Sequence, residues 1–223
     1  MKAMILAAGR GERMRPLTDR LPKPLLKVHG KPLIEWHIEK LAQNGFKEIV
    51  INIAHLGYKI PQSLGDGSRW GVEIVYSDEQ ESGALESAGG IKKALTLLGD
   101  DDFLVVNADI FCEYEYDSSF LLAKNKLAHL ILVNNPPHNP TGDFALDGEL
   151  ASNAKEQRYT FSGIGYYSPK LFDTLKENQK APLAPLLREA IERKKIGASL
   201  YDGLWHDIGT PERLDEINKK VSK

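Results

Sequence analysis

Cations and glycines crowd the start of the chain. Residues 8–16 read Ala-Gly-Arg-Gly-Glu-Arg-Met-Arg-Pro, with Gly9 and Gly11 flanking Arg10, and Arg13 and Arg15 close behind. Glycine lets backbone N–H groups approach phosphate oxygens with no Cβ in the way, and arginine offers those oxygens a planar fork of donors. Taken alone, a Gly-x-Gly pair after a strand reads equally well as a tight turn. Two well-known phosphate motifs are absent. Met14 stands where the dinucleotide fingerprint needs its third glycine; Gly30-Lys31 is followed by Pro32, with Leu25 where a P-loop would begin. Another cation follows shortly. Lys23 lies between Pro22 and Pro24, which hold its backbone extended and stiff and so could aim an ammonium at a phosphate. A lone Pro-Lys-Pro would read as a surface turn; its place just after an arginine-rich loop favours the phosphate.

Carboxylates come later. Asp109 ends the apolar run 103–108. At the ligand edge of a sheet it could bind Mg²⁺, which takes one or two carboxylates together with substrate phosphates; it could also cap a turn or helix. Asp207, in Trp205-His206-Asp207-Ile208-Gly209-Thr210-Pro211, could hydrogen-bond the N-terminus of the following helix. No Ser/His/Asp or Cys/His arrangement emerges. The single cysteine, Cys112, excludes an internal disulfide, and none of the six histidines, His206 included, has a partner at zinc spacing.

The elements that must position these residues follow from hydrophobic periodicity. Strands are predicted at 2–8, 48–53, 72–76, 103–107, 130–133 and 164–167, and helices at 33–43, 85–98, 169–178 and 185–194. Asp147-Gly148 centres a hairpin over 144–150. Residues 201–207 are extended, and a last helix begins at Pro211 with Thr210 as its N-cap. Pro136, Pro137, Pro140 and Gly142 mark a loop that could close over a ligand. The β-α-β-α rhythm predicts an α/β fold, a Rossmann-like, mostly parallel sheet flanked by helices, with ligands at the carboxyl ends of its strands. The chain has 223 residues, a hydrophobic fraction of 42% and a net charge of −2, which suits one globular domain with no general attraction to nucleic acid or to an anionic membrane. No run reaches transmembrane length and no signal peptide is legible, so the cytoplasm is expected.

The motif Leu6-Ala7-Ala8-Gly9-x-Gly11-x-Arg13-Met14-x-Pro16-Leu17-Thr18, followed by Pro22-Lys23-Pro24-Leu25, resembles the signature of the sugar-phosphate nucleotidyltransferases, and the similarity spans essentially the whole chain. The resemblance implies a nucleotide-diphospho-sugar transferase fold, with a nucleotide-binding core over 1–134 and a small sugar-binding and C-terminal lobe over 135–223. It also implies a reaction, in which an NTP and a sugar 1-phosphate combine and pyrophosphate leaves. The roles it implies are these. Ala8 and Gly9 lie by the base; Gly11 and Arg13 hold the triphosphate; Lys23 contacts the α-phosphate region; Arg13 and Lys23 stabilise charge in the transition state; Glu12 belongs to the nucleotide-binding set. Asp109 and Asp207 bind Mg²⁺, since the segment around Asp207 is similar to the family's Trp-x-Asp-x-Gly-Thr-Pro. Residues 81–90 match the base-reading loop, with Glu86 and Ser87 at the base and Ser87 where Thr is usual; Ser87 could instead cap a helix. Asn107 joins the nucleotide set. Gly142, Ser162 and Gly163 resemble the sugar contacts, and Asn153, Lys155 and Glu156 could face the same pocket.

Within the family, segments 161–167, 183–188 and 205–214 look most like the short branch that uridylylates N-acetylmuramate 1-phosphate in cell-wall sugar recycling. Glucose 1-phosphate and mannose 1-phosphate are the alternative acceptors. Choline phosphate is a further one, if Tyr166, Tyr167 and Trp205 form a cage for a quaternary ammonium. Small molecules are the expected partners, with the chain a monomer or weak homo-oligomer.

Overall fold

A computed structural model describes residues 1–81 and 83–220. Ser82, inside the expected base-reading loop, therefore lies outside the described residues. Strand β1 (Ala3–Leu6) leads into 3-10 turns at Glu12–Met14, Leu17–Asp19 and Lys23–Leu25, then the short pair β2 (Lys27–Val28) and β3 (Lys31–Pro32), helix α1 (Leu33–Gln43) and strand β4 (Glu48–Ile53). Helix α2 (Lys59–Leu64), strand β5 (Glu73–Asp78), helix α3 (Glu86–Leu98) and strand β6 (Phe103–Asn107) continue the alternation. Then come β7 (Ile110–Cys112), β8 (Ala128–Val133), the hairpin β9 (Phe144–Asp147) and β10 (Leu150–Ser152), and the long β11 (Arg158–Tyr167). Helix α4 (Leu183–Glu192), β12 (Ile196–Tyr201), β13 (Trp205–Asp207) and α5 (Pro211–Lys219) complete the chain.

One nine-stranded sheet runs β5-β4-β1-β6-β11-β8-β12-β10-β9. Its first four strands are parallel; the inner three, β4, β1 and β6, are nearly all apolar, as strands buried on both faces must be. β11 enters antiparallel to both β6 and β8, so the sheet is mixed, although β8 and β12 are again parallel. β9 pairs with β10 and also with the start of β11, which closes the far strands on themselves. β8, which precedes residue 134, lies between β11 and β12, which follow it.

Helices cover both faces. On one, α1 buries Leu33, Ile34, His37, Ile38 and Leu41, one stripe at helical spacing, and ends at Asn44-Gly45 with Gly45 at φ 88°. α3 and α4 bury Ala88, Ile91, Ala94, Leu187 and Ala190 on the other. α5 starts as expected, with Thr210 Oγ1 accepting from the Arg213 N–H at 3.4 Å. Its Leu214 and Ile217 share a small core with Met14, Leu26 and Val28 from the other end of the chain.

The helix expected over 169–178 is only a 3-10 turn, Pro169–Phe172. Tertiary hydrogen bonding overrides the local pattern, because the chain that follows is drawn out along α3. The Ala181 carbonyl accepts from the Ala88 and Gly89 N–H groups at 3.0 and 3.1 Å, satisfying donors that the first turn of a helix leaves free.

His37 ties α1 to the strand that follows Asp109. Its Nε2–H donates to the Ile110 carbonyl at 2.8 Å, and its Nδ1 accepts from the Tyr116 hydroxyl at 3.0 Å. Burial lowers its pKa from 6.5 to about 4. As pH falls, the unfolded chain takes up this proton before the folded chain does, so stability is complete above the unfolded value and is lost as pH drops toward the folded one. We expect unfolding free energy to fall by about 2 kcal/mol from this group between about pH 7 and pH 5. Urea denaturation of His37→Gln should show a clearly shallower pH dependence; an undiminished slope would assign the effect elsewhere.

Candidate active site

The parallel strands end together at a cleft of about 590 Å³. Ala7 to Arg10 reach it from β1, Asn52 from β4, Glu79 from just beyond β5, and Asn107 to Asp109 from β6; Gly83 to Ser87 and Lys23 close its sides. This is the carboxyl edge where open α/β sheets bind ligands.

The loop after β1 folds back tightly. Gly11 sits at φ 63°, where a Cβ would stand 2.9 Å from Thr18 Cγ2 and 3.2 Å from Lys23 Cβ. The Thr18 hydroxyl donates to the Gly11 carbonyl at 2.8 Å, locking the turn. Lys23, buried at the start of its 3-10 turn, reaches across to Asp109, with Nζ 2.6 Å from Oδ2. Arg10 lines the cleft. Glu12 and Arg13 are exposed on the outer side of the loop, and Arg15 pairs with Asp19 at 3.2 Å. The structure thus joins Lys23 to Asp109 and leaves Arg13 in solvent.

Sequence reasoning missed a buried pair on the wall of the cleft. Asn52 Oδ1 accepts from the Ala7 N–H at 2.7 Å, and Asn52 Nδ2 donates to Glu79 Oε1 at 2.7 Å. Glu79 Oε2 accepts from the Leu85 N–H at 2.8 Å. The pair therefore fixes the glycine loop to the base-loop segment. Close packing enforces glycine behind it, since a Cβ on Gly90 would lie 2.6 Å from Glu79 Oε1. The available signal was polar residues at the carboxyl ends of apolar strands, the same signal that marks Asp109. Beside them Glu86 has φ 61° and its carboxylate lies 3.5 Å from Lys180 Nζ. Ser87 lines the cleft; α3 is capped at Leu85 with no side-chain hydrogen bond, so Ser87 is not its N-cap.

Asp109 and Asp207 are brought together by a two-stranded ribbon. β13 runs antiparallel to β7 with Asp207 opposite Ile110, and the Ile208 N–H donates to the Asp109 carbonyl at 2.8 Å. Asp207 does not cap α5, a task that falls to Thr210. Its Oδ2 accepts from Arg213 Nη1 at 2.6 Å and lies 3.1 Å from His138 Nε2. Carboxylate oxygens are the donors a hard divalent cation takes, and a cation bound here would have to compete with Lys23 at Asp109 and with Arg213 at Asp207. No group of three potential ligands exists among the described residues, and Mg²⁺ ordinarily draws its remaining ligands from substrate phosphates and water.

The sugar-side candidates build walls more than they offer side chains. β11 bulges between Phe161 and Ile164. Ser162 is buried, its hydroxyl donating to the Ile131 carbonyl at 2.7 Å and accepting from the Ile164 N–H at 3.1 Å, so it shapes the bulge. Gly163, at φ 83°, backs onto Asn107; a Cβ there would meet Asn107 Nδ2 at 2.7 Å. Gly142 lies against the Arg158 backbone and Asn135. Asn153 is turned toward α4, donating to the Arg188 carbonyl at 3.0 Å. Tyr166 and Tyr167 are fully buried in the sheet, and Trp205 Nε1 donates to the Ser162 carbonyl at 2.9 Å. The cage expected for a quaternary ammonium is therefore not formed by these three rings.

Comparison with known proteins agrees with this geometry. Residues 2–223 match the family model described as nucleotidyl transferase. The chain is 52% identical to the N-acetylmuramate alpha-1-phosphate uridylyltransferase of Neisseria meningitidis serogroup B, over 97% of this chain and 96% of that protein. It is 40% identical to the UTP–glucose-1-phosphate uridylyltransferase of Synechocystis, over its full length and 64% of that protein. Among solved structures, HddC from Yersinia pseudotuberculosis superposes with a TM-score of 0.78 at 22% identity, covering 98% of each chain, and shares the fold. The likeness read from the glycine loop and Lys23 thus extends along the whole molecule, and the chain belongs to the nucleotidyl transferase family.

Proposed function

We propose that this enzyme transfers the uridylyl group of UTP to N-acetylmuramate 1-phosphate, releasing pyrophosphate, in the recycling of cell-wall sugar. The observation that carries the reading is 52% identity along nearly the entire length of both chains to a uridylyltransferase for that sugar phosphate. The 40% identity to a UTP–glucose-1-phosphate uridylyltransferase supports a second reading, with the same nucleotide and glucose 1-phosphate as acceptor.

In the proposed reaction a phosphate oxygen of the sugar 1-phosphate attacks the α-phosphorus of UTP in line. The new P–O bond forms as the bond from the α-phosphorus to the bridging oxygen breaks, and pyrophosphate carries away that electron pair. The acceptor phosphate is already anionic near neutral pH, so no general base is required. What the protein must supply is alignment and positive charge. Ala8 and Gly9 face the base with Glu86, Ser87 and Asn107, while Gly11, Arg13 and Lys23 surround the triphosphate and Glu12 flanks the nucleotide. Lys23 is fixed by its prolines at the cleft and within reach of the α-phosphate region; Arg13 would have to swing inward from solvent when the nucleotide enters. Residues 135–223 supply the sugar side, with Gly142, Ser162 and Gly163 shaping it mainly through backbone. Asp109 and Asp207 would hold Mg²⁺, which when bound offsets the repulsion between the reacting phosphates.

The protein functions in the cytoplasm, as a monomer or weak homo-oligomer. Among the described residues no helix is long and apolar enough to cross a membrane.

A panel of nucleotides and sugar phosphates, read by pyrophosphate release, tests the substrate reading. UTP with N-acetylmuramate 1-phosphate should give the highest kcat/KM; turnover confined to glucose 1-phosphate or mannose 1-phosphate would reject it. Lys23→Ala and Asp109→Ala should each lower kcat at least about a hundredfold while the fold, read by circular dichroism, stays intact. Near-normal kcat in either variant would remove that residue from the mechanism.

A further inference from the structure

Asp207 Oδ2 accepts a hydrogen bond from Arg213 and lies at ion-pair distance from His138. Arg213 Nη1 lies 2.6 Å and His138 Nε2 3.1 Å from Oδ2, while Oδ1 accepts no hydrogen bond from the described residues. Both side chains are held in place. Arg213 projects from the first turn of α5 and lies across Gly209, where a Cβ would stand 2.7 Å from its Nη2. His138 rides on the proline-rich loop between β8 and β9, and that loop is pinned to β11. Asn135 Nδ2 donates to the Arg158 carbonyl at 2.9 Å, and the Thr160 hydroxyl donates to Asn135 Oδ1 at 2.9 Å. Asp143 Oδ2 accepts from the Phe161 N–H at 2.8 Å and from Asn139 Nδ2 at 3.2 Å. So fastened, the loop serves as a pedestal for one imidazole.

We propose that His138 and Arg213 are positioning residues that clamp Oδ2 of Asp207, fix the plane of that carboxylate and reserve Oδ1 for a divalent cation. This rests on the reading of Asp207 as a metal ligand. Contacts on one oxygen restrict rotation of the carboxylate, and outer partners of metal ligands typically change metal affinity 10–100-fold. The positive charge of Arg213 opposes the cation, so its contribution has to come through orientation. His138 also couples the two sides of the site, because its pedestal carries Gly142.

The test is Mn²⁺ binding, with the free ion read by EPR in the presence of α,β-methylene-UTP, for the wild type, Asp207→Asn, His138→Leu, His138→Gln and Arg213→Gln. Asp207→Asn should bind most weakly. His138→Leu and Arg213→Gln should each lose about tenfold in affinity, and His138→Gln, which keeps an N–H donor near the position of Nε2, should recover most of it. In turnover, His138→Leu should lower kcat more than it raises the KM for UTP. If Asp207→Asn loses affinity while His138→Leu and Arg213→Gln match the wild type, the clamp is refuted and the metal reading survives. If Asp207→Asn itself binds as the wild type does, both fail. Should His138→Leu melt early, His138→Gln decides: affinity as poor as that of Leu overturns the proposal, as would tighter binding in Arg213→Gln.

Discussion

The contact between Lys23 Nζ and Asp109 Oδ2, at 2.6 Å, is the joint on which the proposed site depends. It spans from the loop after β1 to the carboxyl end of β6, and so sets the distance between the phosphate-binding segment and the sheet edge. Its worth is positional. The Lys23 side chain is 10% exposed and that of Asp109 36%, so solvent screens the pair from the carboxylate side and reduces what it adds to stability. What holds it is packing: Pro22 and Pro24 stiffen the backbone, Lys23 itself is nearly buried, and Gly11 lies against its Cβ. A cation kept in place by apolar packing is free to exchange its partner for a phosphate without a change of fold.

The opposite end of the chain is built around the same joint. The hydrogen bond from Ile208 to the Asp109 carbonyl stitches the end of β13 to Asp109, and Ile208, with Leu214 and Ile217 of α5, packs onto Met14, Leu26 and Val28. The glycine loop and the Asp207 segment therefore share one small hydrophobic core. Burial of those side chains, worth about 1.5–3 kcal/mol each, is what holds the segment carrying Asp207 beside the one carrying Asp109.

Much of this was legible in the residues. Periodicity placed α1, β4 and β6 at their observed bounds, because each presents an uninterrupted apolar stripe or run. Lys23 and Asp109 could be found because flanking prolines and strand ends are local features, although Lys23 begins a 3-10 turn and not the extended backbone that a following proline favours. The partners that hold these groups were not local. Asn52 and Glu79 meet only after β4 and β5 pair in parallel. His138 and Arg213 meet only at Asp207, through a loop and a helix from different parts of the fold. The antiparallel entry of β11 was hidden for the same reason, since a buried strand reads alike in either direction. Over 169–178 the helical pattern lost to a tertiary demand, the N–H groups at the start of α3.

The most direct test of the account is a crystal structure with α,β-methylene-UTP and Mn²⁺, the ion located by its anomalous signal. The account predicts a manganese peak between Asp109 and Asp207, with Lys23 turned from Asp109 toward the α-phosphate. A peak remote from both carboxylates, with Lys23 still bound to Asp109, would contradict it.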